Sequence, residues 1–242
     1  MPVVNRPSTD RSVAVVVLAK LPVPGLVKTR LCPPCTPDEA AGITEASLRD
    51  TLAAVSLACR AHPGILGRIT ISIERHGHDL PEWIAAAGQV IDQCPGDLGI
   101  RLAQAFASVD APAILIGMDT PQVTPDLLRE VAMTLRAGDS VIGPATDGGY
   151  WMIGFRDQPP KVFAGVPMST DQTGLEQVLA MKRHGLDPSF APPLTDFDVF
   201  EDAKRIARNL AGSHFQRAVD TVASRLTRVT VPPVPTQPTE ST

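Results

Sequence analysis

The sequence predicts an α/β fold with a largely parallel sheet, and three observations predict it. Short apolar runs alternate with segments of helical period, as strand–crossover–strand units require. The first run, Val13 to Leu18, is apolar without alternation, as suits a strand buried on both faces. No interior stretch has the composition of a linker and no repeat is present, so the 242 residues read as one large domain with a full core. That domain is expected over 12–226, between a disordered start at 1–11 and a Pro/Thr-rich disordered tail at 227–242.

The elements follow in order. After the first strand, Thr36 reads as an N-cap, with Pro37 at the first helical position and Glu39 three residues on. Ala41, Leu48, Leu52, Val55 and Cys59 keep one helical face to about Ala61. Residues 68–74 alternate as a strand. Asp79 is placed to cap a short helix containing Trp83 and Ile84. Gln89 to Asp92 is a third strand. Pro95-Gly96 turns the chain into a helix faced by Leu98, Leu102, Ala105 and Val109. Its N-terminus just after Gly96 should leave backbone N–H groups free. Ala113 to Gly117 is a short buried strand, and Thr124 caps the next helix, with Pro125 behind it. Ser140 to Gly143 is a strand, and the end of GPATDGGYWMIGF is another. Ser169 and Thr170 open a helix that stops at Gly185. A helix near Glu201 and a last one over about 213–226 complete the domain.

Composition narrows the function classes. A net charge of −4 gives no footprint for nucleic acid. No stretch is long and apolar enough to span a bilayer, and no leader pattern opens the chain, so the cytoplasm is the expected compartment. Cys32-Pro33-Pro34-Cys35 has the spacing of half a zinc site. Cys59 and Cys94 do not supply a second pair, and the two prolines speak against a redox pair opening a helix. No G-x-S-x-G elbow is present.

The informative stretch is AKLPVPGLVKTRL, residues 19–31. Gly25 lets backbone approach a ligand, Pro22 and Pro24 stiffen the loop, and Lys28 and Arg30 make it cationic. Such a loop at the carboxyl end of a first strand suits a polyphosphate. It is not a Walker A loop, because Val27 precedes the lysine and Cys32-Pro33-Pro34 blocks a following helix. A solvated basic loop is the competing reading.

Three acidic sites also fall in loops. Asp119 follows a buried strand, Asp147 precedes two glycines, and Asp196 and Asp198 stand two apart, on one side of an extended segment. Loops at strand carboxyl ends share one crevice in an open sheet. Carboxylates and cations there suit magnesium with phosphate. Taken singly, each acid is as readily a turn or a helix cap.

Together the motifs AKLPVPGLVKTRL, TPDEAA, GDLGIRL, IGMDTPQVTPDLL, GPATDGGYWMIGF, FAGVPMST and DFDVFEDA resemble a bacterial family of glycosyltransferase-like, or selenodomain-associated, transferases, over about 13–205. That family resembles the GT-A, or nucleotide-diphospho-sugar transferase, fold: a three-layer sandwich around a mostly parallel mixed sheet. It is similar to deazaflavin-cofactor guanylyltransferases and molybdenum-cofactor nucleotidyltransferases. The resemblance implies a nucleotide side formed by Gly25, Lys28, Arg30, Gly96, Asp97 and Gly99. It implies metal ligation of Mg2+ or Mn2+ by Asp119 and Asp198, with Asp196 close by. It implies an acceptor side at Asp147, Gly148, Gly149 and Ser169. Lys28, Arg30 and Asp119 would be catalytic. Met168 replaces the family's usual Trp, and Val199-Phe200 its usual Asp-Thr, so the acceptor pocket is expected to differ.

The fold hosts two reactions. A nucleoside triphosphate can give its nucleotidyl group to a small phosphorylated acceptor, releasing pyrophosphate, or an NDP-sugar can give its sugar. The single Asp in Gly117-Met118-Asp119-Thr120-Pro121, where sugar transferases of this fold usually carry D-x-D, and the Lys-Thr-Arg loop favour the first. A nucleotide-binding protein without catalysis is a third possibility, which the retained Asp119 and Asp198 speak against.

Overall fold

The computed structural model describes residues 11–110 and 112–230. The expected disorder at 1–10 and 231–242 lies outside the described residues. Among the described residues, strand β1 (Val13–Lys20) is central in a seven-stranded sheet of order β3-β2-β1-β4-β6-β5-β7. The others are β2 (Leu66–Glu74), β3 (Gln89–Asp92), β4 (Ala113–Gly117), β5 (Ser140–Pro144), β6 (Tyr150–Phe155) and β7 (Ser189–Phe190). β1 pairs in parallel with β2 and β4, β2 with β3, and β5 with β7, whereas β6 runs antiparallel to β4 and β5. This is the mixed, mostly parallel sheet expected from the sequence. The chain moves outward from β1 to β3 and then returns to β4 on the other side of β1. The carboxyl ends of β1 and β4 therefore flank a topological switch point, where open sheets bind ligands.

Helices cover both faces. They are α1 (Pro37–Ala61), α2 (Glu82–Ala85), α3 (Leu98–Ala107), α4 (Pro125–Ala137), α5 (Thr173–Arg183), α6 (Phe200–Ala207) and α7 (His214–Thr230). β1 shows why its sequence is apolar throughout. Val13, Val15, Val17 and Ala19 enter the core shared with Leu48 and Leu52 of α1 and Leu128 of α4. Ala14 and Val16 enter the opposite core, with Leu102 and Phe106 of α3. A third cluster joins Leu31 and Cys35 to Phe197, Phe200 and Phe215 beneath α6 and α7.

The capping chemistry at α1 is as expected. Thr36 Oγ1 accepts from Glu39 N at 3.2 Å, and Glu39 accepts from Thr36 N at 2.8 Å. Thr124 caps α4 by its side chain alone, accepting from Leu127 N. Other boundaries moved. Pro81, not Asp79, precedes α2. Helix α5 starts at Thr173, because Ser169 takes a left-handed φ of 61° and the Thr173 hydroxyl accepts from Thr170 N. Helix α7 runs to Thr230, past the expected end at 226. The edge strand β7 and a 3-10 turn at Thr29–Leu31 are further elements, each too short to leave a periodic signal. Cys35 is buried in the third cluster, where burial pushes its thiol up to about 11.

Candidate functional site

A cavity of about 840 Å³ opens at the carboxyl ends of β1 and β4. Its wall includes Lys28 and Arg30 from the loop after β1, Gly96 before α3, Asp119 after β4, Asp147 and Gly149 before β6, Ser169 before α5, and Asp196 and Asp198 before α6. Segments remote in sequence therefore meet at the switch point.

Lys28 holds the centre. Its Nζ lies 2.8 Å from Asp119 Oδ2 and 2.9 Å from Asp198 Oδ1, and its side chain is only 9% exposed. Burial works against the ammonium, but the two carboxylates outweigh it and hold Lys28 above its ordinary range. The ammonium also lies 4.7 Å from the centroid of the buried Phe197 ring, so the third core cluster floors the site. Lys28 adopts a left-handed φ of 43°, uncommon for a side-chain-bearing residue. Such conformations persist where surrounding contacts over-determine them.

Arg30 Nη1 reaches Asp198 Oδ2 at 2.9 Å from a largely exposed position. Burial would raise the Asp198 carboxyl, but Lys28 and Arg30 bring it below its ordinary value. Asp196 behaves oppositely. Burial first, then the nearby Asp147 charge, push it up to about 6. The backbone explains this neighbourhood. Ala145 bridges Leu194 in parallel, Thr146 N donates to Leu194 O, and the Thr146 and Thr195 hydroxyls meet at 3.1 Å. One residue further along both segments stand Asp147 and Asp196.

The fate of the expected glycines is instructive. Gly25 has a φ of 79° and, among the described residues, no neighbour near its missing side chain, so it serves the turn and does not line the cavity. Gly148 has a φ of 90°, and a Cβ there would collide with the Asp171 carbonyl. It joins the Asp147 loop to the start of α5 rather than facing the cavity. Gly99 packs against Phe163 O, and with Asp97 it borders a second cavity behind α3 instead of the first. Asp97 Oδ1 accepts from Ile100 N at 2.9 Å, so this carboxylate caps α3 and occupies one of the N–H groups expected to be free.

Several polar cavity residues were not among those expected from the sequence, including Lys20, Gln93, Arg101 and Asp171. Arg101 Nη1 lies 2.7 Å from Glu74 Oε2, and Lys20 Nζ lies 3.6 Å from the same oxygen. Gln93 fixes this corner by donating to Ala19 O and Ser72 O. Asp171 enters from the loop before α5. The spacing of Leu98, Arg101 and Leu102 on one face of α3 was the available signal for Arg101. Met168, the departure from the family pattern, also lines the wall.

Asp119 Oδ1 is buried with no hydrogen-bond partner among the described residues. Among those residues no group of three His, Cys, Asp or Glu side chains is assembled for a metal. Magnesium usually takes only one or two carboxylates, so Asp119 and Asp198 fit it through hard oxygen donors, one of them orphaned. No helix among the described residues is long and apolar enough to cross a membrane.

The pattern of residues is shared with known sequences. Residues 56–170 match the family described as "Uncharacterized protein conserved in bacteria (DUF2064)". A Desulfovibrio desulfuricans G20 structure, provisionally described as a nucleotide-diphospho-sugar transferase, is 27% identical, with a TM-score of 0.75 over 90% of this chain and 97% of that one. A Leptospira borgpetersenii cytidylyltransferase is 9% identical, with a TM-score of 0.53 over 92% and 98%. The 4-diphosphocytidyl-2C-methyl-D-erythritol synthase of Anaerococcus prevotii is 10% identical, with a TM-score of 0.50 over 90% and 97%. No curated protein matches by sequence. The fold is thus of the nucleotide-diphospho-sugar transferase type, and the resemblance to a GT-A-like transferase family holds.

Proposed function

We propose that this protein is a nucleotide-dependent transferase that moves a nucleotidyl group from a nucleoside triphosphate to a small acceptor and releases pyrophosphate. The observation that carries this is the cationic pair Lys28 and Arg30, set at the switch point beside Asp119 and Asp198. The fold shared with the Leptospira cytidylyltransferase supports it.

In this reading the Lys28 ammonium and the Arg30 guanidinium exchange their carboxylate partners for the β- and γ-phosphates. They orient the triphosphate and offset the charge that develops on the leaving pyrophosphate. Phe197 and the third cluster keep Lys28 in place and exclude water from one side. Asp119 and Asp198 would hold magnesium or manganese, which supplies neutralisation of phosphate charge when bound. Gly96 lets backbone pass close to the nucleotide. Asp147 and Ser169 face the acceptor.

Sugar transfer from an NDP-sugar is the second reading, favoured by the description of the Desulfovibrio relative. Calorimetric titration of the wild type and Arg30→Ala with NTP, NDP, NMP and NDP-sugar of each base separates them. Nucleotidyl transfer expects Arg30→Ala to weaken NTP roughly ten- to a hundredfold, the loss of one charge-assisted contact, and to leave NMP nearly unchanged. A wild type that prefers an NDP-sugar to every NTP would establish the second reading instead.

A further inference from the structure

The charges of the central cavity are divided between its two halves. Its lysines and arginines among the described residues are Lys20, Lys28, Arg30 and Arg101. All four come from the end of β1, the loop after it, or α3. Lys28 and Arg30, assigned above to the β- and γ-phosphates, pair with Asp119 and Asp198 in the unliganded chain, and Lys20 and Arg101 pair with Glu74. The other half contributes Asp147, Asp171, Asp196, Ser169 and Thr170 to the wall, with no cation from its own segments. The parallel pairing of residues 145–146 with 194–195 places Asp147 and Asp196 side by side.

A phosphate monoester carries nearly two negative charges and three strong acceptor oxygens. Asp147 and Asp171, which form no ion pair among the described residues, would repel it. Vicinal hydroxyls suit this wall well. Carboxylates accept from them, and serine and threonine hydroxyls can donate or accept in turn.

A separate observation points to a polar ligand. Thr120 belongs to the cavity wall, is only 1% exposed, and its hydroxyl has no hydrogen-bond partner among the described residues. A buried hydroxyl left unpaired is costly, and a ligand hydroxyl would relieve that cost.

We propose that the acceptor is an uncharged polyhydroxyl compound, a sugar or polyol without a phosphate, held by Asp147, Asp171, Ser169 and Thr120. This rests on the nucleotidyl-transfer reading and replaces the phosphorylated acceptor expected from the sequence. One acceptor hydroxyl oxygen forms the new bond to the α-phosphorus. The bond from that phosphorus to the bridging oxygen breaks, pyrophosphate leaves with the electron pair, and the hydroxyl proton passes to solvent.

The test is amide NMR of the full chain with magnesium and an α,β-methylene NTP. The titrants are glucose, mannose, ribose, inositol and glycerol, each paired with its monophosphate. The expected result is perturbation of the Gly149, Ser169 and Asp171 amides by one or more unphosphorylated compounds and not by their phosphates. Asp171→Lys should reverse the preference toward the phosphorylated partner. Stronger perturbation of the wild type by the phosphates overturns the proposal, and so does no perturbation by any compound while the analogue is bound. Failure of the analogue itself to bind overturns the nucleotide reading beneath it, a distinct outcome.

Discussion

Lys28 and Asp119 form an ion pair at the centre of the site, 2.8 Å between Nζ and Oδ2, with Asp198 2.9 Å away from the same ammonium. The lysine thus stands between the two carboxylates expected to hold a metal. Lys28→Met keeps the aliphatic packing and removes the charge. The two carboxylates then repel, and stability should fall by about 1–3 kcal/mol, the usual range for stranding a partly buried charge. Magnesium alone should raise the melting temperature of Lys28→Met more than that of the wild type, because the ammonium no longer occupies the gap. Equal magnesium responses in a thermal-shift assay would show that Lys28 and the metal do not compete.

Asp119 has one oxygen on Lys28 and one buried without a hydrogen-bond partner among the described residues. In the wild type, NTP should raise the melting temperature more in magnesium than in EDTA. Asp119→Asn should abolish that difference while leaving the unliganded melting temperature within a few degrees. A variant that keeps the full magnesium dependence removes Asp119 from the metal site.

Asp196 makes stability depend on pH. Its carboxyl is raised from an ordinary 3.8 to about 6 by burial and by the Asp147 charge. The folded chain therefore holds this proton more tightly than the unfolded chain does. The resulting stabilisation is complete below 3.8 and is lost as pH rises through about 6. Asp196→Asn should accordingly be more stable than the wild type at about pH 8, by on the order of 1 kcal/mol once solvent screening of a half-buried group is allowed for. The gain should shrink toward about pH 4. Chemical denaturation across this range checks the sign, and a pH-independent difference would contradict the assignment.

Asp50 on α1 ties down the start of α7. Its oxygens accept from His214 N at 3.1 Å, Phe215 N at 2.8 Å and His214 Nδ1 at 2.8 Å. Asp50→Ala should cost about 1–2 kcal/mol, the range for loss of a helix cap. Urea denaturation measures it. Because α7 covers Phe197 through Phe215, whose rings are 4.9 Å apart, NTP affinity should weaken along with stability. Unchanged stability would mean that α7 is held by its apolar face alone.

Much of the fold was legible because it is local. The apolar run of β1, the capping box at Thr36 and Glu39, and Pro125 behind Thr124 each act within a turn or a strand. Their periods and caps are therefore written in adjacent residues. The segments of the site were legible for the same reason: loops bearing Lys28, Asp119, Asp147 and Asp198 each follow or precede a recognisable element. What the local pattern does not contain is which segments meet. The antiparallel run of β6, the pairing of 145–146 with 194–195, and the contact between Lys28 and Asp198, 170 positions apart, depend on strand order and on how distant segments pack. Tertiary structure also reassigned Asp97 to a helix cap and Gly99 to packing. It divided the cavity into a cationic and an acidic half, because charge balance in a cavity is set by what faces it across space, not by what is next in the chain.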